Sequence, residues 1–143
     1  MKNWTEKKGF PLVKASMKND DTITISQEQF HAFPASLESK KNEKKNEKKN
    51  EKNEKNENFF WMIPLSYSQN NLSSSSSILL KDFKSSLNVS SSFHFFKLNL
   101  SHSSFVRILY DSPLLQKLGS SLFHSSFPSS DRLGIFFKFL FYI

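Results

Sequence analysis

The chain has 143 residues, 37% of them apolar and 23% charged, with a formal net charge of +7 and no cysteine. That length accommodates one domain of ordinary size, while the lack of cysteine excludes disulfides, thiolate zinc sites and cysteine nucleophiles. With 26 Ser, 12 Asn and only three Gly, the composition favours caps and solvated backbone over a fold rich in left-handed turns.

Residues 1–39 form a mixed N-terminal segment. Lys2, Lys7, Lys8, Lys14 and Lys18 are scattered through its first part without an apolar run, so no secretory signal is visible. The Asn-x-Ser/Thr sequons at Asn3, Asn71, Asn88 and Asn99 are then expected to be idle. Asp20-Asp21 precede Thr22-Ile23-Thr24-Ile25, whose polar/apolar alternation predicts a short strand. Ser26 with Gln29 three residues on has capping-box spacing, which predicts a helix over Gln27–Phe33 ended by Pro34. Two elements of this size are marginal by themselves.

Residues 40–58 are a Lys/Asn/Glu repeat with eight Lys, five Glu and no apolar residue. In a helix, Lys40, Lys44, Lys48 and Lys52 would stack at i,i+4, as would Glu43, Glu47 and Glu51, and like charges at that spacing repel. With no apolar face to tether it, the repeat reads as a solvated linker.

Residues 59–143 are a Ser/Phe/Leu-rich segment. Ser77 as a cap predicts a helix from Ile78 to Leu87 with Leu79, Leu80, Phe83 and Leu87 on one face. Phe96–Ser101 alternates as a half-buried strand does. Ser112 as cap, Pro113 at the first position and Gly119 past Leu118 frame a second helix. The hydrophobic tail 133–143 is too short to cross a bilayer and carries Lys138. Its Phe, Ile and Tyr content predicts a strand-prone, aggregating end, with Ser129-Ser130-Asp131 as a flexible joint. The three-letter bias of this segment is what a thymine- and cytosine-rich tract encodes.

No constellation of residues carries chemistry. His31, His94, His102 and His124 are spaced unlike metal ligands, and Asp82, Asp111 and Asp131 are the only acidic residues after position 57. No Gly-x-Ser-x-Gly, Gly-rich phosphate loop or His-Glu-x-x-His pattern occurs. The positive charge lies mostly on Lys interrupted by Glu, without the interleaved aromatics of single-strand binders.

The expected fold class is therefore mostly disordered and low-complexity, with short isolated helices, a strand or two, and no stable globular fold. The sequence leaves the function unknown: it reads as a basic low-complexity chain, of the kind that a reading frame without a selected biochemical role can produce. The alternatives are a small interaction or adaptor protein, or a peripheral membrane protein using its C-terminal tail. No catalytic, cofactor-binding or metal-ligating residue is expected, and no cofactor. Partners are unspecified beyond weak polyanion or membrane-surface contact, and the default location is cytoplasmic.

Overall fold

In the computed structural model, which describes Trp4 and residues 9–30, 60–123 and 127–140 (the side chains of 137–140 excepted), the first two strands form a hairpin. β1 (Pro11–Asn19) and β2 (Thr22–Gln29) pair antiparallel around Asp20-Asp21, with a bulge between Met17 and Asn19. Then follow β3 (Ile63–Gln69), β4 (Ser75–Leu80), β5 (Lys84–Asn88), β6 (Phe96–Leu98) and β7 (Arg107–Tyr110). A short 3-10 turn at Leu100–His102 and two α-helices, α1 (Ser112–Ser121) and α2 (Ser129–Leu140), accompany the strands.

The strands make two sheets, ordered β5-β2-β1-β7 and β4-β3-β6. Every pairing is antiparallel except β1 with β7, which runs parallel from Leu12↔Arg107 to Ala15↔Tyr110. One face of each sheet enters a common core. Val13, Ala15, Ile23 and Ile25 come from the first sheet, and Ile63, Leu65, Leu80, Phe96 and Leu98 from the second. Leu114, Leu115 and Leu118 of α1 and Ile135 of α2 join the same cluster. Residues on both sides of the charged repeat thus share one core.

Gln27 ties the two sheets together where the chain crosses between them. Its buried side-chain amide donates to Trp61 O and Asp82 O, both at 2.9 Å, and accepts from Trp61 N at 2.7 Å. Its backbone N–H donates to Phe83 O at 3.0 Å. Lys81, Asp82 and Phe83 are the corner that carries the chain from β4 in one sheet to β5 in the other.

The expectation of a mostly disordered chain without a stable globular fold is overturned: the described residues form a compact β-rich fold of seven strands in two sheets. The local misreadings share one cause, partners distant in sequence. Thr22–Ile25 is a strand, but it continues through Gln29 instead of turning helical at Ser26, because Pro11–Lys14 offers a ladder to Ser26–Gln29. The helix over 78–87 is instead the end of β4, the corner and most of β5. Leu80 and Leu87 point inward, whereas Leu79 and Phe83 are exposed.

The strand at Phe96 lasts three residues, all buried on both faces. The helix near Ser112 exists, but Asp111 caps it through Leu114 N at 3.0 Å, and Gly119 lies inside it. The tail is helical through Leu140, and its supposed flexible joint is the first turn of α2, with Asp131 buried. The repeat at 40–58 lies outside the described residues, as do His31, Phe33, Pro34 and His124.

Candidate functional site

β6 and β7 are edge strands of their respective sheets, and Tyr110 bridges them. Its hydroxyl accepts from Leu98 N at 2.8 Å and donates to Leu98 O at 3.5 Å. Full burial pushes the Tyr110 phenol well above its ordinary pKa; the bond to Leu98 opposes that shift and the nearby Asp131 charge adds to it.

Directly after β6 the backbone turns left-handed at three non-glycine positions, Asn99 (φ 55°), Ser101 (φ 53°) and His102 (φ 54°). Such residues are strained unless their surroundings fix them, and here they do. Asn99 Nδ2 donates to Ser104 O at 2.9 Å, and its Oδ1 accepts from Ser104 N at 2.8 Å. Asp131 at the start of α2 accepts from Ser101 N with both oxygens, at 3.1 and 3.2 Å.

Lys97 secures the turn from below. Its Nζ donates to Leu98 O at 2.8 Å and Asn99 O at 3.2 Å, and lies 3.3 Å from Asp131 Oδ1. The two side chains are 2% and 1% exposed. Burial lowers the Lys97 ammonium pKa, while the Asp131 charge and hydrogen bond pull it back upward. His102 caps the pair from outside, with Nε2 3.1 Å from Ser130 O and 3.8 Å from Asp131 Oδ1. α2 comes close enough that a Cβ on Gly134 would sit 2.6 Å from the His102 ring.

Above this floor lies a groove of about 560 Å³. Leu12, Leu98, Val106, Ile108 and Leu115 supply apolar wall, and Arg107 and His102 stand exposed at its mouth. A shallower depression shares His102, Val106 and Arg107 with it and runs out to Phe10 and Phe105. Phe105 is 76% exposed. Its ring meets Phe10 edge-on at 5.6 Å, Phe10 stacks on Phe30 at 4.8 Å, and the Arg107 guanidinium lies 4.4 Å over Phe30.

The floor is suited to holding structure. All three donors of the Lys97 ammonium are directed at acceptors, so no lone pair is offered to an electrophile. Among the described residues no group of three or more His, Asp or Glu converges as metal ligands would. His94 is exposed at the far end of β3, where its backbone N–H donates to Asn70 Oδ1 at 2.5 Å. Asp82 contributes only its carbonyl, to Gln27, while Asp111 caps α1 and accepts from Met17 N at 2.6 Å.

Of the histidines and aspartates weighed from sequence that lie among the described residues, the fold brings together only His102 and Asp131. Lys97, Tyr110 and Arg107 escaped notice. Lys97 sits at a position where alternation points a side chain to solvent, so only its distant partner Asp131 reveals its role. A scan against protein-family models and a search of curated proteins find no match to the chain.

Proposed function

We propose that the chain is a non-catalytic binding module whose recognition surface is the groove between the β6 and β7 edges. One observation carries this reading. The polar groups on the floor are spent on the fold, while the wall is apolar, half-buried at Leu12 and Val106, and opens beside exposed Arg107. A concave apolar site with a few placed polar groups is the usual form of a ligand site. A core that unites residues distant in sequence supports an interaction module over a frame without a selected role, which gives no reason for the pairing of β1 with β7.

A fragment screen followed by amide chemical shifts tests the proposal. Hits should perturb Leu98, Val106 and Ile108 together, and Val106→Trp should abolish them. Hits that cluster elsewhere, or that survive Val106→Trp, overturn it. A second reading, contact with a membrane surface, has support from Leu133 and Phe136, which α2 leaves exposed. No helix among the described residues is long and apolar enough to cross a membrane. Co-sedimentation of wild type and Leu133→Ser/Phe136→Ser with anionic vesicles distinguishes this second reading.

A further inference from the structure

We infer that the groove takes a free carboxylic acid with an apolar chain or ring, the carboxylate held by Arg107. The inference rests on the binding-module reading and names its ligand class.

The charge pattern around the groove is one-sided. Arg107 and His102 stand at the mouth, Lys97 lies beneath, and among the described residues no carboxylate belongs to the lining. Asp131, beneath the floor, is 1% exposed and already accepts from Ser101 N and faces Lys97. His102 is engaged with Ser130 O and the outer side of Asp131. Arg107 differs: among the described residues it forms no ion pair with a carboxylate, and its contact is the face of Phe30 at 4.4 Å.

A guanidinium whose carbon lies over an aromatic ring keeps N–H groups directed away from that ring, and its planar fork matches a carboxylate with two parallel bonds. A fork held still on a ring loses less side-chain freedom on binding than a loose one. Behind it, the wall formed by Leu12, Val106, Ile108 and Leu115 offers an apolar chain removal from water. The volume of about 560 Å³ falls within the range of about 300–1,000 Å³ common for small-ligand sites. A cationic head group would meet Arg107 and be repelled, and a neutral one would gain only the wall.

Titration of the full chain with decanoate below its micelle concentration, followed by amide shifts and calorimetry, is the test, with decanol, decylamine and an acetylated Leu-Glu-Leu-Glu peptide amide as companion probes. Decanoate should bind at least about tenfold tighter than decanol, the factor a charged hydrogen-bonding pair supplies, and decylamine should bind weakest. Arg107 is exposed, so Arg107→Gln should lower the thermal melt only slightly through its lost Phe30 contact, remove the preference for decanoate and leave decanol affinity as it was. Arg107→Lys should keep part of the preference, because charge remains and the fork does not.

Equal binding of decanoate and decanol overturns the carboxylate assignment while leaving the groove as a binding site. Tighter binding of the acidic peptide than of decanoate overturns the free-acid assignment. Binding of none of the probes at the groove overturns the ligand class. If unrelated fragments also fail to bind there, the module reading falls with it.

Discussion

At the scale of single residues, the buried Lys97–Asp131 pair joins β6, the left-handed turn and α2. Removing one partner of such a pair leaves an uncompensated buried charge, which costs about 3–5 kcal/mol. Asp131→Asn should therefore destabilise the fold by that order in urea denaturation, and so should Lys97→Met. The double change Lys97→Met/Asp131→Asn should cost clearly less than the sum of the single ones; additive losses would mean that the pair is not coupled.

Tyr110 gives the alkaline limb its shape. Its folded pKa is raised, so above about pH 10 the unfolded chain holds fewer protons than the folded one, and stability falls with pH by up to about 1.4 kcal/mol per unit. Lys97, whose folded pKa is lowered, acts with the opposite sign, but only below its ordinary value of 10.5. Above pH 10.5 the slope belongs to Tyr110, and Tyr110→Phe should flatten it. A mutant limb parallel to the wild-type limb contradicts this account.

At the scale of elements, α1 depends on a residue outside it. Asp111 caps the helix with Oδ1 and receives Met17 N on Oδ2, so the helix start is fastened to the bulge in β1. Asp111→Ala should lose the cap, worth about 0.5–2 kcal/mol, together with the Met17 acceptor, worth about 1–3 kcal/mol. Asp111→Asn can keep the cap and should cost less by thermal or urea melts.

Helix α2 makes its own test at Gly134. Alanine there gains roughly 1 kcal/mol of helix propensity, but its Cβ would meet the His102 ring at 2.6 Å. In a His102→Ala background, Gly134→Ala should recover the full gain, and in wild type less, with the difference measured as a double-mutant coupling.

These elements also mark what the sequence made legible. The strand at Thr22, the strand beginning at Phe96 and the helix after Ser112 follow from alternation and from Pro113, signals contained within a few residues. The Gln27 stretch and Ile78–Leu87 carried equally good local signals for helix, and tertiary pairing overrode them. Serines 75–77 are uninformative by propensity, yet they pair with Ser68, Tyr67 and Ser66 along β3. The groove was invisible because its parts, Leu12, Leu98, Arg107 and Gly134, converge only after both sheets form.

At the scale of the whole molecule, both sheets and both helices draw on one cluster of buried side chains. Unfolding should therefore be a single cooperative transition. Far-ultraviolet circular dichroism and tryptophan fluorescence, the latter dominated by buried Trp61 with Trp4 6.4 Å away, should report one midpoint. Separated midpoints would mean that the two sheets are independent. Most pairings are non-local, so folding should take milliseconds to seconds, as in other β-rich domains. Stopped-flow refolding finished within microseconds would contradict this.

The parallel seam between β1 and β7 has a consequence for how the protein is made. Residues 12–15 leave the ribosome before their outer neighbour, Arg107–Tyr110, which follows 95 positions later. At about 5–20 residues per second, one side of β1 waits roughly 5–20 s for its permanent partner. In that interval Val13 and Ala15 have no completed core to enter, and the exposed ladder is open to any extended chain nearby. Nascent chains stalled before residue 107 should therefore be captured by chaperones or aggregate, whereas chains released after α1 has emerged should not. The chain halted at residue 100 on the ribosome and the released full-length chain would reveal that contrast in protease resistance.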